Sequence, residues 1–293
     1  MAWVRCGLMG AAIAAVVAST ALAGSAAAEV FSVPALPNGS LGAPVVSKAE
    51  LDKSFRALTK SMATSLPGRV GVSITPVGGD LPTSFGSVKT ARAWSTLKVP
   101  VSIAAQRKLG AAVLADEAKA IELSDNESAE KLWGLLGGGA PSVDAVTAVL
   151  REGHDVRTQV SSELTHSFPG LTQWDLADQS IFAAHLPCLP DTGDVLDHMN
   201  HVAANQQWGV AKPAARGVTA AVKGGWGPAA NGTGKNVVRQ LAVISTPTGQ
   251  YGVALAALPT SGSLTDGNAM VTRVGTWLLK NLGGFPAGNC LVQ

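Results

Sequence analysis

Ser95 and Lys98 stand three positions apart in the segment Ser-Thr-Leu-Lys, where a predicted helix begins. Side chains at this spacing share one face of a helix, so the lysine lies next to the serine hydroxyl. A lysine whose pKa is lowered by burial or by neighbouring cations can remove the hydroxyl proton. The first helical turn adds positive potential and free backbone N–H groups for a developing oxyanion. The pair is therefore a candidate for nucleophilic catalysis.

The same spacing occurs again at Ser128 and Lys131, where it indicates only a polar helix face. So short a pattern is a hypothesis that other segments must support. The first such segment is Ser124-Asp125-Asn126, at the head of another predicted helix, where these residue types are also favoured as caps. In the catalytic interpretation Ser124 relays a proton and Asn126 binds a substrate amide.

The second supporting segment is Lys223-Gly224-Gly225-Trp226, which ends a predicted strand. Glycines at a strand edge let a ligand approach the backbone closely. A flexible hairpin is the alternative interpretation.

Two groups of strands must position these segments. Alternating and β-branched residues predict strands over 69–77, 84–88, 218–223, 237–246 and 251–259. Helical spacing predicts a helix over 48–66, a mainly helical block over 91–207 and a last helix that begins at Thr265. This order indicates an α+β fold in which a helical insertion interrupts a sheet, with a site in the cleft between them.

In this order and context the three segments resemble the S-x-x-K, S-D-N and K-T-G motifs of class A β-lactamases and penicillin-binding proteins. The resemblance extends from about Lys48 to Leu282. It implies the fold of that family, an antiparallel five-stranded sheet flanked by N- and C-terminal helices with an inserted all-helical lobe. The single domain would span 48–293, with an α/β lobe of 48–90 and 209–293 and a helical lobe of 91–208.

Carried over residue by residue, the resemblance implies that Ser95 is the acylated nucleophile and that Lys98 is its base. Ser124 would pass a proton to the leaving nitrogen, and Lys223 would supply a cation to the substrate carboxylate. Backbone N–H groups of Ser95 and Trp226 would form the oxyanion hole.

Three further residues would contact the substrate in this resemblance. Asn126 would bind its amide, and Gly225 would let it lie against the strand edge. Arg239, on the next strand, would face its carboxylate, a pairing that suits a guanidinium group. A solvated surface position is the alternative for Arg239.

Two departures from the family concern the shape of the site. Ser95 and Ser124 are 29 positions apart, closer than in class A enzymes, so one helical wall of the cleft is missing and we expect a wider site. Gly224 replaces the hydroxyl-bearing residue of K-T-G, which removes one hydrogen bond to the substrate carboxylate.

A third departure concerns hydrolysis. Class A enzymes use the glutamate of an E-x-x-L-N loop to activate the deacylating water, and the sequence has no such motif. Glu163, in the stretch 158–166, is the best replacement by position, and an exposed loop carboxylate is the alternative. Without that base the acyl-enzyme would persist.

The first residues indicate export. Residues 1–28 carry Arg5 ahead of a charge-free apolar stretch that ends in small residues, which predicts a signal peptide; a membrane anchor is the alternative. Residues 29–47 contain three prolines and are predicted to be extended. We expect a secreted or periplasmic, cell-envelope protein without a stable membrane anchor after cleavage. In an oxidising compartment Cys188 and Cys290 could pair or stay free.

The composition of the chain excludes nucleic acid as a binding partner. A net charge of +2 with 14% charged residues provides no basic stripe for nucleic acid. We expect a monomer that takes a small β-lactam or peptidoglycan-stem-like substrate, without a cofactor.

A rival site contains His198 and His201, with Asp194 and Asp197 nearby. Two histidines leave a tetrahedral metal site incomplete, so we favour a solvated helix face and expect no metal. None of the other histidines, His154, His166 and His185, has a partner that indicates a Ser-His-Asp triad.

The sequence therefore favours an exported serine hydrolase that acts on a β-lactam or related amide through a Ser95 acyl-enzyme, with weak deacylation. A D,D-peptidase-like cell-wall enzyme and a non-catalytic cell-envelope binding protein on the same fold are the alternatives.

Overall fold

The computed structural model describes residues 46–164, 168–213, 215–232 and 235–290. The predicted signal peptide, all but the last two residues of the predicted extended segment, and His166 lie outside the described residues. None of the described helices is long and apolar enough to cross a membrane.

In chain order the elements are α1 (Lys48–Ser65), β1 (Gly68–Pro76), β2 (Thr83–Gly86), β3 (Thr90–Arg92), α2 (Lys98–Leu109), α3 (Leu114–Ala118), α4 (Asn126–Leu135), α5 (Gly139–Glu152), β4 (Gln173–Asp175), α6 (Leu176–His185), α7 (Gly193–Asn200), β5 (Thr219–Pro228), β6 (Asn236–Thr246), β7 (Gly249–Pro259) and α8 (Leu264–Lys280).

The main sheet is antiparallel, with the strand order β2-β1-β7-β6-β5, so the predicted five-stranded sheet is confirmed. Because side chains alternate along a strand, β1 serves two layers. Val70 and Ile74 join the apolar cluster formed with α1 and α8. Ser73 and Thr75 point to the other face, where their hydroxyls bond to Ser180 on α6 at 2.9 and 2.8 Å.

The helical lobe is built around α2. Every residue from Lys98 to Ala105 is buried, and the helix contacts both α4 and α5. Lys98 is therefore a cation buried in the first turn of this helix, where burial disfavours its charged form.

The segment over 173–186 differs from the sequence prediction. The predicted helix over 173–186 starts as the short strand β4, which pairs with β3 in a separate two-stranded sheet. Asp175 then caps α6 by accepting a hydrogen bond from Ala177 N at 2.8 Å. Strands of three residues are too short for a period-2 pattern to distinguish them from a helix start.

A disulfide joins Cys188, just beyond α6, to Cys290, in the tail that follows α8, with a Cα–Cα distance of 5.3 Å. It ties the C-terminal tail to the segment between α6 and α7. The two cysteines are 102 positions apart, so only the folded chain brings them together.

Candidate active site

Ser95 lies in a 3₁₀ turn over Trp94–Leu97 that leads directly into α2. Trp94, immediately before it, has a φ of 46°, a conformation that is unusual for a bulky residue and is found where function requires strain. Among the described residues the Ser95 hydroxyl has no hydrogen-bond partner. It is therefore free to attack a ligand.

Lys98 is buried, and its ammonium group has three acceptors. Nζ donates to the backbone oxygens of Ser124 and Asp125 at 2.7 and 3.0 Å and to Asn126 Oδ1 at 2.8 Å. Burial lowers the pKa of Lys98 to about 8, and the negative charges of Asp125 and Glu130 oppose that shift. A lysine in this state can lose its proton near neutral pH and act as a base.

Ser124 links two lysines. It ends a π-helical turn over Lys119–Leu123 in the left-handed conformation, with φ 58° and ψ 33°. Its carbonyl oxygen accepts from Lys98, while its Oγ accepts a hydrogen bond of 2.8 Å from Lys223 Nζ. The hydroxyl proton of Ser124 is then available for a ligand.

Lys223 is fully buried on β5, and Nζ also donates to Gln206 Oε1 at 3.2 Å and to Gly224 O at 3.0 Å. Burial lowers the pKa of Lys223 well below its usual value, and the nearby charge of Lys98 lowers it further. The two lysines are thus held apart by Ser124. Gln206, which the sequence analysis missed, sits in a short 3₁₀ turn without a recognisable motif.

A glycine is required at position 225 because the backbones of two segments approach closely there. The turn before α2 packs on β5, and a Cβ at Gly225 would lie 2.9 Å from Ala93 O and 3.0 Å from both Ser95 N and Thr96 N. The strand backbone therefore reaches the turn that holds Ser95 only because this position lacks a side chain.

A glycine is required at position 224 because of a side chain packed against it. A Cβ there would lie 2.6 Å from Trp208 Cζ2, since the indole ring occupies the space of the missing hydroxyl-bearing side chain. The departure from K-T-G is therefore matched by a buried tryptophan on the adjacent segment.

A cavity of about 170 Å³ opens beside Ser95. This volume lies below the roughly 300–1,000 Å³ of typical ligand pockets, so the space beside Ser95 is small, and the wider cleft expected from the missing helical wall stays a prediction. Aromatic side chains from three segments close it. Its lining residues are Trp94, Ser95, Ser124, Asn126, Glu130, Phe168, Gly170 and Trp226.

Glu130 is the residue that the sequence analysis missed in this cavity. It lies one helical turn after Asn126 on α4, so both side chains project from the same helix face. Among the described lining residues it is the one carboxylate. The sequence signal that could have identified Glu130 is its spacing of four from Asn126. Asn126 Oδ1 accepts from Lys98, which leaves its NH₂ group to donate to a ligand carbonyl.

The structure does not bring Glu163 to Ser95. Glu163 is exposed and lines a separate depression with Thr90 and Arg157. Its backbone is fixed by Ser161, whose Oγ accepts from Glu163 N at 3.0 Å and donates to Glu163 O at 3.1 Å. Position along the chain therefore pointed to a carboxylate that does not line the cavity of Ser95.

Arg239 does not face the cavity either. It is fully buried, and its guanidinium group donates to the backbone oxygens of Ala91 at 2.6 Å and Trp174 at 3.2 Å and to Gln179 Oε1. Burial lowers the pKa of Arg239 to about 9. The residue joins the small β3–β4 sheet to the main sheet, and the expected contact with a substrate carboxylate is wrong.

The rival histidine site does not converge. His201 Nδ1 bonds to Asp197 O on its own helix at 2.8 Å, whereas His198 Nδ1 bonds to Glu122 Oε1 at 2.7 Å. His198 Nε2 lies 3.9 Å from Glu117 Oε1, and Glu117 is fully buried without a hydrogen-bond partner among the described residues. The second serine–lysine pair is unrelated to the cavity, because Lys131 is exposed and pairs with Asp116 at 2.7 Å.

The fold is that of the class A β-lactamases: an antiparallel five-stranded sheet with the terminal helices packed on one face, and a helical insertion whose central helix begins just after Ser95. Three solved structures illustrate the likeness. The TLA-3 extended-spectrum β-lactamase is 12% identical, with 81% of this chain and 100% of that chain covered and a TM-score of 0.64. A class A β-lactamase from Bacteroides cellulosilyticus is 13% identical, with 80% and 99% covered and a TM-score of 0.65. A β-lactamase from Sphaerobacter thermophilus is 20% identical, with 80% and 98% covered and a TM-score of 0.59.

No protein-family model and no curated protein sequence matches the chain. The similarity is therefore one of backbone fold, and the activity has to be argued from the side chains.

Proposed function

We propose that the protein is an exported serine hydrolase that opens a β-lactam or a related amide through an acyl-enzyme on Ser95. The observation that carries this proposal is the bridge that Ser124 makes between Lys98 and Lys223 at the edge of the cavity that holds Ser95. A nucleophile, a base with lowered pKa and a proton relay then share one small site.

In the acylation step the Ser95 Oγ attacks the amide carbonyl carbon and its proton passes to neutral Lys98. Lys98 has to release one of its three acceptors to receive that proton. The oxyanion would lie between the N–H groups of Ser95 and Trp226, which the close approach of Gly225 to the turn brings near each other. Ser124 gives its proton to the leaving nitrogen. Lys98 Nζ, which donates to Ser124 O, would then turn to Ser124 Oγ and return the proton that it gained.

In the deacylation step a water attacks the ester carbonyl, and we assign its activation to Glu130. The carboxylate lines the cavity of Ser95, whereas Glu163 lies in another depression. Glu130 takes a proton from the water as the water oxygen bonds to the carbonyl carbon, and it returns that proton to Ser95 Oγ as the ester C–O bond breaks. Geometry here favours Glu130 over the loop glutamate.

The size of the cavity favours a compact reacting group, with the rest of the substrate outside it. Lys223 has no access to solvent, so it supplies positive potential through Ser124 rather than a direct contact with a carboxylate. This is consistent with a small neutral or singly charged amide. We place the protein in the cell envelope or outside the cell, as a monomer whose domain spans 48–293.

The test is covalent labelling with a fluorescent penicillin, followed by intact mass. We expect a label on the wild-type protein and on Ser162→Ala, which changes an exposed serine beside a separate depression, and none on Ser95→Ala. The time course of label loss measures deacylation. Absence of an adduct with penicillins, cephalosporins and D-Ala-D-Ala thioesters would contradict the proposal.

A non-catalytic binding protein is the second candidate, because the Lys98 ammonium already has three acceptors and none is Ser95 Oγ. It predicts reversible penicillin binding, equal in wild type and Ser95→Ala. A D,D-peptidase predicts turnover of D-Ala-D-Ala thioesters faster than of penicillins.

A further inference from the structure

Asp80, His154 and His185 form a cluster away from the catalytic cavity. Asp80 Oδ1 lies 2.8 Å from His154 Nδ1 and 2.8 Å from His185 Nε2. The two imidazole rings are stacked, with centroids 3.7 Å apart and planes inclined by 22°. Three groups that can ligate metals thus offer one atom each, and these atoms lie within 4.8 Å of one another.

The donor set is one that Zn²⁺ and other divalent transition-metal ions prefer. Imidazole nitrogen and carboxylate oxygen bind Zn²⁺ at about 2.0–2.2 Å, and three protein ligands with a water in the fourth position make a common tetrahedral site. Donors in such a site are roughly 3.4 Å apart. Each histidine nitrogen would therefore move about 0.6 Å farther from Asp80 Oδ1, and the stacked rings would turn toward the ion. Among the described residues no other group of three histidine, cysteine, aspartate or glutamate side chains converges in this way.

The cluster is accessible on one side and supported on the other. His185 is mostly buried at the end of α6, while the side chains of Asp80 and His154 are about half exposed. Partial burial raises the pKa of Asp80, but the hydrogen bonds from His154 and His185 outweigh it and the pKa is lowered. The carboxyl group is therefore ionised and able to bind a cation.

The nearby arginines have partners of their own. Arg157 pairs with Asp178 at 2.6 Å, and Arg151 donates to Asp155 O and Thr158 O. Neither arginine donates a hydrogen bond to the Asp80 carboxylate, so a metal would not have to displace an arginine from it.

We propose that Asp80, His154 and His185 bind one divalent transition-metal ion of the zinc type. The ligands come from the loop after β1, the loop after α5 and the last turn of α6. The ion would therefore cross-link the sheet to the helical lobe, close to Cys188 of the disulfide. The proposal is independent of the proposed hydrolase activity, since neither Ser95 nor its lysines take part.

The experiment uses the mature protein without an affinity tag. Zn²⁺ binding is measured by equilibrium dialysis and isothermal titration, and Co²⁺ is added separately to read the ligand geometry from its visible absorption. We expect one equivalent of Zn²⁺, a higher Tm in its presence because only the folded protein has the site, and no effect of Mg²⁺.

The variants His154→Ala and Asp80→Asn change exposed ligands and should fold, which circular dichroism checks. We expect each to weaken Zn²⁺ binding by more than about 10-fold, since loss of an outer-shell partner alone costs that much. His201→Ala, which removes an exposed histidine elsewhere, should bind like wild type, as should Ser95→Ala. The proposal would be overturned if the wild-type protein failed to bind one equivalent of Zn²⁺. It would also be overturned if His154→Ala and Asp80→Asn bound Zn²⁺ as tightly as wild type.

Discussion

Lys223 Nζ donates a hydrogen bond to Ser124 Oγ at 2.8 Å, although 99 positions separate the two residues in the sequence. The contact joins the edge of the sheet to the turn that precedes α4. It also orients the Ser124 hydroxyl, because Oγ accepts from the lysine and its proton is left for a ligand. The catalytic predictions below depend on this geometry.

Replacing Ser124 by alanine should slow acylation by penicillin about 10²- to 10⁴-fold, the usual worth of a positioned proton donor. The side chain is small and the fold should persist. The rate constant for labelling measures the effect. Ser162→Ala, which alters an exposed serine beside a different depression, is the control and should label at the wild-type rate. Equal rates in both variants would remove Ser124 from the mechanism.

The acylation rate should rise with pH through about 8, because burial lowers the pKa of Lys98 to about that value and its neutral form is the base. Lys98→Met should abolish labelling at every pH. Lys131→Met, a change to an exposed lysine that pairs with Asp116, should leave the profile unchanged. A pH-independent rate in the wild type would show that Lys98 is not the base.

Glu130→Gln should slow decay of the acyl-enzyme by about 10²- to 10⁴-fold while labelling still occurs. Glu163→Gln is the matched control and should decay as wild type does. The same Glu130 variant should move the acylation profile to lower pH, since its negative charge raises the pKa of Lys98. If Glu163→Gln alone slows decay, the loop glutamate is the base after all.

Restoring the K-T-G pattern with Gly224→Thr should destabilise the protein rather than improve binding. The new Cβ would meet the Trp208 ring at 2.6 Å, and overpacking of this kind costs about 1–3 kcal/mol. Urea unfolding measures the loss. Gly134→Ala, at a helical position with open space around it, is the control and should stabilise by about 0.5–1 kcal/mol.

Glu117 should make stability depend on pH. Burial raises the pKa of Glu117 to about 7, with a further contribution from the charge of Asp194, and His198 lies 3.9 Å away. The folded protein then holds a proton that the unfolded chain releases near pH 4.5, so the free energy of unfolding falls between pH 4.5 and 7. The loss approaches about 3 kcal/mol.

Glu117→Gln should remove that pH dependence. The difference in unfolding free energy between wild type and variant, measured at pH 5 and pH 8, isolates the contribution of this group. An unchanged difference would show that Glu117 ionises as it does in the unfolded chain.

The sequence predicted the main elements because their signals are local. Alternation marks β1, β6 and β7, and the spacing of apolar residues marks α1 and α8. The strands β3 and β4 were not predicted, because three residues are too few to show an alternating pattern. These strands form only by pairing with each other across the fold.

By itself the sequence determined the α+β order and brought Ser95, Lys98, Ser124 and Lys223 to notice, because each lies in a short motif at the end of an element. Which carboxylate shares the cavity, where Arg239 points and which histidines meet at Asp80 were decided only by tertiary structure. Those choices depend on contacts between residues tens of positions apart. Burial and side-chain direction at such contacts follow from the packing of whole layers, which no local pattern encodes.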